Sequence, residues 1–278
     1  MPERIGLIAG NGLFPQLFAE AARKQGLNIV AVAHQGEADP QLGRFVDELH
    51  WVRLGQIDAI VRAFKKAGVQ RAVMAGGIGR VRALTAARPD LGAVRILAGL
   101  RSFRDVALLR AIALHFEREG IRIVAPTDYV KELLAPEGQL GGPPISQGQH
   151  KDIALGLEVA TALGKVDVGQ TVVVRNGHVL ALEAVEGTDE AIRRGGKYGG
   201  QGAVIVKLSK PGQDERFDLP AVGTGTLATM KEVGALVLAV EAGRTILLEP
   251  DRIVADARKL GISVVGVRRT ETNSRAPG

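Results

Sequence analysis

The sequence has no cysteine and few aromatic residues. Among its 278 residues, seven are Phe, two are Tyr and one is Trp. The lack of cysteine excludes disulfide scaffolds, thiolate zinc sites, iron–sulfur clusters and cysteine nucleophiles, and it fits a reducing cytoplasm, where we expect the protein to be located. The scarcity of aromatic rings leaves few stacking platforms for bases, so we expect no nucleic-acid partner.

Several common signatures of function are also missing. There is no GxSxG motif, no Walker A motif and no tandem repeat. The five histidines show no HxH or HxxxH spacing, which argues against a histidine metal site. Apolar runs such as 233–240 are far shorter than the roughly 18–20 residues of a bilayer span, and the first ten residues do not resemble a signal peptide. We therefore expect neither a membrane span nor export.

The positive charge is concentrated in the first half of the chain. The net charge is +6, with 18 Lys/Arg against 11 Asp/Glu up to Thr127 and 18 against 19 after it. This half includes an arginine-rich window that is either an ordinary solvated face or an electrostatic field for an anionic ligand or an acidic membrane surface. Its members are Arg80, Arg82, Arg88, Arg95, Arg101 and Arg104.

Short apolar strands alternate with amphipathic helices in the first half. The strand-like segments are 4–10, 27–34, 70–75 and 121–125, and the helical ones are 14–25, 57–67 and 105–119. Such alternation is typical of a parallel sheet covered by helices. We therefore predict an α/β fold with a Rossmann-like doubly wound N-terminal domain at residues 1–127.

The composition changes after this domain. Residues 126–149 contain four Pro and four Gly, so we predict a linker at 128–149. After it come a predicted helix at 150–163, a hairpin turning at Asn176-Gly177, and further strands and helices. This pattern predicts a mixed α/β C-terminal domain at 150–267. The tail at 268–278 has no apolar face, and we expect it to be disordered.

Two glycine-rich turns, Gly10-Asn11-Gly12 and Gly76-Gly77, follow predicted strands. In an open α/β sheet such turns lie at the carboxyl ends of the strands, where backbone N–H groups and a helix N-terminus can bind phosphate. The two turns could line one crevice. The simpler alternative is that these residues are ordinary turn glycines.

The first turn matches a dinucleotide-binding fingerprint only in part. A third glycine would be needed where this chain has Pro15, and an acidic ribose anchor would be needed where it has His34. Glu37 and Asp39 are close enough in sequence to serve as that anchor instead. A nicotinamide cofactor is therefore an alternative that the motif supports weakly.

A cluster of acids and hydroxyls occupies residues 183–190. Thr188 and Asp189 are good helix N-cap residues, so the cluster could simply begin a helix. The same side chains could hold Mg²⁺ through oxygen ligands, and Lys207 and Lys210 follow as cations. Phosphate chemistry requires such a mixture of metal, positive charge and carboxylate. The acids of the cluster are Glu183, Glu186, Asp189 and Glu190.

Asp218 precedes Leu219-Pro220. Because the residue before a proline is pushed toward extended geometry, we expect Asp218 at a strand end or in a turn. It comes shortly before Thr224, whose glycine neighbours suit the start of a helix. An Asx turn is the structural alternative for Asp218.

Read in order, these motifs resemble the LpxI family, the UDP-2,3-diacylglucosamine pyrophosphatases of bacterial lipid A synthesis. The resemblance implies a glycine-rich N-terminal domain and a C-terminal domain joined by a linker, with the lipid held between them. It also implies a magnesium-dependent hydrolase that yields UMP and 2,3-diacylglucosamine 1-phosphate, called lipid X, at the cytoplasmic face of the inner membrane. The matching segments are GLIAGNGLFP (6–15), ALLRAI (107–112), DVGQTVVVRNGHVLALEAVEGTDEAIRR (167–194), VKLSKPGQDERFDLPAVG (206–223) and EAGRTILLEPDRIVADARKLGISVVGV (241–267).

The resemblance also implies roles for individual residues. The family's essential aspartate, in its DLP motif, falls on Asp218, which we expect to be catalytic. We expect Asp218, Glu186 and Asp189 to bind Mg²⁺. A GDDA-like run of the family is represented here by 104–107, RDVA, which keeps one of its two acids. The resemblance implies substrate binding by Gly10, Asn11, Gly12, Thr188 and Lys207. From their positions in the sequence we expect Gly76, Gly77 and Thr224 to bind substrate as well, although the second glycine turn, GGIGRVR, departs from the family's pattern.

We therefore expect water to attack the pyrophosphate of UDP-2,3-diacylglucosamine while the metal and nearby cations offset its charge. We expect the protein to be peripheral to the inner membrane, with the window from Arg80 to Arg104 assisting its binding to an anionic surface. A homodimer is left open. Two alternatives from other classes are an NAD(P)-dependent oxidoreductase and a non-catalytic carrier of lipid or nucleotide.

Overall fold

The computed structural model describes residues 3–79, 87–100, 105–210, 214–217 and 219–269. For residues 105 and 106 it describes the backbone only. The chain divides into two compact units. The first unit comprises Met1–Glu132 with Asp214–Asp218, and the second comprises Leu133–Gln213 with Leu219–Gly278. The mixed α/β prediction is confirmed, and each unit is built around its own sheet.

The first unit contains a five-stranded parallel sheet in the order β3-β2-β1-β4-β5. Because the chain moves outward from β1 in one direction and then returns to β1's other side at β4, the strand order reverses between β1 and β4. This is the arrangement of a Rossmann-like sheet. Its strands are β1 (Arg4–Ala9), β2 (Asn28–His34), β3 (Glu48–Val52), β4 (Arg71–Ala75) and β5 (Arg122–Ile123).

Helices cover both faces of this sheet. Ile8 of β1 packs in one core cluster with Phe64 of the second helix and Phe116 of the fourth. The first helix contacts β1, β2 and β4 through residues that include the fully buried Phe18. Successive strand residues point to opposite faces, so one strand can serve both layers. The described helices are α1 (Phe14–Lys24), α2 (Ile57–Lys66), α3 (Leu91–Ala98) and α4 (Asp105–Arg118).

The N-termini of α2 and α3 cap one another. The Asp90 carboxylate accepts hydrogen bonds from the backbone N–H of Asp58 in α2 (2.7 Å) and of Ala93 in α3 (3.1 Å). The Asp58 carboxylate in turn accepts from the N–H of Gly92 (2.9 Å). A side chain at position 92 would meet the Asp58 carboxylate, because a Cβ there would lie 2.2 Å from its Oδ1. Two aspartates thus fix where α3 begins.

Replacing Asp90 with alanine is expected to destabilise the first unit by about 1–2 kcal/mol, because the first-turn amides of two helices lose their acceptor. The measurement is the free energy of unfolding in urea, followed by circular dichroism. Asp128→Ala, which removes an exposed aspartate from a 3-10 turn of the same unit, is the matched control and should change stability by less than about 0.5 kcal/mol. Equal effects of the two substitutions would show that Asp90 is not a double cap.

The second unit contains a six-stranded mixed sheet in the order β6-β13-β11-β9-β7-β8. Its three central strands β9, β11 and β13 are parallel, while β6, β7 and β8 run antiparallel to their neighbours. A separate parallel pair joins β10 to β12. The strands are β6 (Gly138–Gly141), β7 (Thr171–Arg175), β8 (His178–Leu182), β9 (Val204–Lys207), β10 (Ala221–Val222), β11 (Val237–Glu241), β12 (Ile246–Leu247) and β13 (Ser263–Val267).

The helices of this unit pack on its sheet through two apolar clusters. Ser146 and Gln149 form a capping box at the start of the long first helix. This helix also carries the buried Asp152, which accepts hydrogen bonds from the N–H groups of Asn176 (2.8 Å) and Gly177 (2.7 Å) in the turn between β7 and β8. The described helices are α5 (Gln147–Lys165), α6 (Thr188–Gly199), α7 (Thr224–Glu232) and α8 (Pro250–Leu260).

Two predicted boundaries can be compared with these elements. The stretch 128–149, predicted as a linker, contains 3-10 turns, strand β6 and the start of α5. Arg269, assigned to the tail, donates a hydrogen bond to the buried Glu241 (3.0 Å), and residues 270–278 lie outside the described residues. Within the described chain, no helix has the length and apolar character that crossing a bilayer requires.

Candidate active site

The two glycine turns of the first unit meet at the carboxyl ends of β1 and β4. The N–H of Asn11 donates to the carbonyl of Gly77 (2.8 Å), and the N–H of Gly77 donates back to the carbonyl of Asn11 (3.2 Å). Gly10 donates to the carbonyl of Ala75 (2.9 Å). The structure therefore brings the predicted residues Gly10, Asn11, Gly12, Gly76 and Gly77 into one place.

This close approach explains why some of these residues are glycine. A Cβ at Gly10 would lie 2.2 Å from the Gly77 carbonyl oxygen, and one at Gly76 would lie 2.4 Å from the Asn11 carbonyl oxygen. Gly12 is different, because its φ of +85° favours glycine while nothing surrounds its Cβ position within 4 Å. The backbone at Gly12 is therefore open to a ligand, whereas Gly10 and Gly76 serve the contact between the turns.

These turns flank the point where the strand order reverses. In open α/β sheets, ligands bind outside the carboxyl ends of the strands at such a point, and α1 begins directly after Gly12 and Leu13. Backbone N–H groups of the first turn of a helix carry partial positive charge and suit a phosphate. The first unit therefore places the open turn at Gly12 and the start of α1 at the edge where such sheets bind anions.

The second unit carries a buried polar cluster around Lys207, the last residue of β9. Lys207 Nζ donates to Thr188 Oγ1 (3.1 Å) and to the carbonyl oxygen of Ala221 (3.0 Å). Thr188 Oγ1 donates to Glu183 Oε1 (3.0 Å) and lies 3.4 Å from Thr171 Oγ1. Lys207, Glu183 and Thr171 are all buried. The cluster thus holds a cation and a carboxylate at a strand end.

Lys207 bonds to the predicted binding residue Thr188 and to Ala221, in the segment that leads to a further predicted residue, Thr224. Thr188 begins α6, and Ala221 lies in β10, three residues before Thr224 at the start of α7. The lysine therefore ties the start of α6 to the segment that leads into α7. Thr188, Lys207 and the segment entering Thr224 come together in the structure, although they are spread over 37 positions of the sequence.

The predicted metal ligands do not assemble into a cage within the described residues. Glu186 forms an ion pair with Arg194, and hydrogen bonds from its own backbone amide and from Arg194 lower the pKa of its carboxyl. Asp189 is exposed in the first turn of α6. The part of the chain that the structure describes contains no group of three His, Cys, Asp or Glu side chains that could hold a metal ion. The third predicted ligand, Asp218, lies outside the described residues.

The segment just before Asp218 is anchored within the first unit. Arg216 forms a two-pronged ion pair with Asp214 (2.8 and 2.9 Å) and reaches Glu117 of α4 (3.4 Å). The Arg216 guanidinium lowers the pKa of the Asp214 carboxyl, and Phe217 packs against the apolar cluster of α2 and α4. The predicted catalytic residue therefore follows a segment with a defined position.

Some polar groups were not among the predicted substrate or metal ligands, although the sequence offered Glu37 as an alternative ribose anchor of a nicotinamide cofactor. Glu37 follows β2 and accepts from Asn11, and Glu241 ends β11 and accepts from the N–H of Ser209 (2.8 Å) and from Arg269. Glu183 appeared in the sequence cluster without a role of its own. The available signal was position, because Glu37 comes just after the predicted strand 27–34 and Glu241 ends strand β11 of the structure.

The second unit also has two clefts that lie away from the polar cluster around Lys207. They have volumes of about 450 and 530 Å³. The first is lined by Gly200, Lys231 and Leu236 among others, and the second by Ile145, His150 and Val267 among others. Neither lining includes a predicted site residue, so the polar cluster rather than cleft size identifies the candidate site.

Comparison with known proteins bears on this site. The model of the LpxI N-terminal domain matches residues 4–133, and that of the LpxI C-terminal domain matches residues 136–265. The chain belongs to the LpxI family. The UDP-2,3-diacylglucosamine pyrophosphatase LpxI of Caulobacter vibrioides is 32% identical over 275 residues, covering 95% of this chain and 97% of that protein. The LpxI resemblance read from the sequence motifs is thereby confirmed.

Two solved structures that match this LpxI-family chain resemble it only weakly. The biotin carboxylase subunit of pyruvate carboxylase has a TM-score of 0.27 and 16% identity, and covers 62% of this chain, which spans only 35% of that protein. Phosphoribosylglycinamide synthetase from Anaerococcus prevotii has a TM-score of 0.25 and 12% identity, with coverages of 67% and 40%. With TM-scores this low, we base no conclusion on either likeness.

Proposed function

We propose that the protein hydrolyses the pyrophosphate bond of UDP-2,3-diacylglucosamine, releasing UMP and 2,3-diacylglucosamine 1-phosphate. The observation that carries the proposal is its match to the Caulobacter vibrioides pyrophosphatase along 95% of the chain, which includes both units. The site geometry supports it. One unit places an open glycine turn and the start of α1 at the edge where such sheets bind phosphate, and the other has a buried lysine beside hydroxyl and carboxylate groups.

In this proposal, each group acts on the charge or position of the diphosphate. Lys207 offsets negative charge on the phosphate oxygens. Because its ammonium group is preorganised in a buried site, its attraction to these oxygens grows as negative charge develops on them in the transition state. Thr188 and Ala221 fix the ammonium group in place. Asp218 binds the metal or orients the attacking water, since a carboxylate supplies oxygen ligands for Mg²⁺ and an acceptor for a water proton.

We propose magnesium dependence on the family resemblance. The described carboxylates do not form a cage, so the Mg²⁺ requirement depends on Asp218 and on oxygens of the diphosphate itself, which is how Mg²⁺ is commonly held in phosphate enzymes. Full chelation with EDTA is expected to lower UMP release by at least about 10²-fold, and added MgCl₂ should restore it. Unchanged release after chelation would contradict the requirement.

The test of the proposed activity is UMP release from UDP-2,3-diacylglucosamine by the purified full chain, with lipid X measured in the same sample. Equal amounts of the two products are expected. UDP-glucose serves as the control for non-specific pyrophosphatase activity. Binding of substrate without product after long incubation would support a carrier instead, and NADH binding with hydride transfer would support an oxidoreductase.

We further propose that α3 helps the protein bind an anionic membrane surface. Leu91, Val94 and Leu97 are 70%, 49% and 40% exposed, and their three-residue spacing places them on one face of the helix. The exposed Arg88 and Arg95 supply positive charge beside that face. An apolar stripe with flanking arginines suits the boundary between lipid headgroups and acyl chains. Arg80, Arg82, Arg101 and Arg104 of the same window lie outside the described residues.

Replacing Leu91, Val94 and Leu97 together with serine is expected to reduce binding to phosphatidylglycerol vesicles by about tenfold or more, measured by co-sedimentation. The matched control replaces the exposed Val166 and Val168 of the second unit with serine and should leave binding unchanged. Binding that survives the triple substitution, or that does not weaken in high salt, would contradict docking through this face.

A further inference from the structure

Three buried polar side-chain atoms of the second unit have no hydrogen-bond partner among the described residues. They are Gln170 Oε1, Thr245 Oγ1 and Arg269 Nε. Gln170 directly precedes β7, Thr245 comes four residues after β11, and Arg269 comes two residues after β13. Because β7 is antiparallel to β9, its start lies at the same edge of the sheet as the carboxyl ends of β9, β11 and β13. Unpaired buried polar atoms are rare in proteins, and these three come at or just beyond the edge where such sheets bind ligands.

Arg269 is held at this edge by hydrogen bonds from its Nη2 group. One goes to the Glu241 carboxylate at the end of β11 (3.0 Å), and another goes to the carbonyl of Ser209, two residues after the end of β9. Glu241 is 5% exposed, so its ion pair with Arg269 offsets the cost of burying both charges and fixes the guanidinium in place. A guanidinium has five N–H donors. Within the part of the chain that the structure describes, the donors of Nε and Nη1 have no acceptor.

Lys207 and Arg269 come from the strands on either side of β11. Lys207 ends β9 and is in register with Val240, the residue before Glu241. Arg269 follows β13 on the other side of β11 and bonds to Glu241 itself. Neighbouring strands are about 4.8 Å apart, so the two cations belong to one short stretch of the sheet edge. Two cations at such an edge suit a diphosphate, which carries negative charge on both of its phosphate groups.

We infer that Arg269 donates hydrogen bonds to a phosphate group of the diphosphate, with Glu241 as the positioning residue that holds the guanidinium. The ligand class is a nucleoside diphosphate, and this choice rests on the proposed function. The competing explanation is that Arg269 only neutralises Glu241 and anchors the chain after β13. An anchor would affect stability and the binding of every ligand alike, whereas a phosphate-binding arginine favours the ligand with the additional phosphate.

The experiment compares binding of UDP and of UMP to the full chain by calorimetry. Wild type should bind UDP about tenfold or more tightly than UMP, because the second phosphate adds hydrogen bonds between charged groups. In Arg269→Met this preference should fall to about threefold or less. Arg268→Met is the matched control, since Arg268 is the neighbouring residue, is exposed and pairs with Glu137. It removes the same charge and should keep the wild-type preference.

Arg269→Met combined with Glu241→Gln is the second variant, in case Arg269→Met alone does not fold because it leaves Glu241 buried without a counter-charge. The preference for UDP should fall in the same way. Wild type that binds UDP and UMP equally, or that binds neither, would overturn the inference. A preference that persists without Arg269, or that is lost equally in Arg268→Met, would do so too.

These outcomes are separable from failure of the proposed function. Hydrolysis of UDP-2,3-diacylglucosamine by a wild type that shows no preference for UDP refutes only the inference. A preference for UDP that depends on Arg269, in a protein that does not hydrolyse UDP-2,3-diacylglucosamine, refutes only the activity.

Discussion

Asp218→Ala is expected to lower the rate of UMP release from UDP-2,3-diacylglucosamine by about 10²- to 10⁴-fold. The reason is that the variant loses the carboxylate that binds the metal or orients the attacking water, and such groups contribute rate factors of this size. The change should appear in kcat more than in KM, because the group acts on the reacting atoms rather than on the uridine or the acyl chains. Rates are measured by quantifying UMP.

The control for this prediction is Asp251→Ala. Asp251 is an exposed aspartate in the first turn of α8, so its removal makes the same change of charge in the same part of the chain. That variant should keep a rate within about threefold of wild type, and both variants should unfold at similar urea concentrations. A folded Asp218 variant with an undiminished rate would refute the assigned role.

Lys207→Met is expected to reduce kcat by about 10²- to 10³-fold, because the diphosphate loses a preorganised cation in a buried site. Methionine keeps much of the length and apolar surface of lysine but none of its charge. Lys210→Met is the matched control. Lys210 is three residues further along and pairs with Asp167 (2.7 Å), so its loss should change the rate by less than about threefold.

A second variant separates a chemical role of Lys207 from a structural one. Lys207 reaches the buried Glu183 through Thr188, so Lys207→Met alone also leaves a buried carboxylate with less compensation and should destabilise the second unit. Adding Glu183→Gln removes that charge and should restore the urea midpoint without restoring the rate. Recovery of both stability and rate in the double variant would show that Lys207 is only a structural counter-charge.

The sequence predicts those elements whose ends are set by neighbouring residues and whose apolar pattern matches the side that is buried. Helix α8 is one example, because Pro250 begins it and Gly261, with a φ of +68°, ends it. The hairpin of β7 and β8 turns at Asn176-Gly177 as predicted, with φ values of +49° and +77°. In both cases the residues that set the backbone geometry are adjacent in sequence.

The sequence patterns did not predict elements that carry apolar residues on their solvent-facing side. Helix α3 carries Leu91, Val94 and Leu97 on its exposed side and Ala93 and Ile96 on its buried side, so its sequence shows no helical period. Strand β3 is largely half-exposed at the edge of its sheet and likewise lacks a clear alternation. Local patterns fail here because burial was decided by neighbours that are distant in sequence.

The candidate site was predictable in its residue types but not in its pairings. The sequence indicated Thr188 and Lys207 separately, and only the register of β7, β9 and β11 together with the start of α6 shows that they bond to each other. Glu186 was a reasonable metal ligand from the sequence alone. Its ion pair with Arg194, eight residues later, depends on how α6 turns back along β8.

The most direct test of the central claim, that this chain hydrolyses a diphosphate, is the reaction in H₂¹⁸O with mass spectrometry of both products. The account predicts equal amounts of UMP and 2,3-diacylglucosamine 1-phosphate, with one ¹⁸O atom per turnover in the phosphate of one of the two. Absence of products, or products that carry no ¹⁸O, would contradict it.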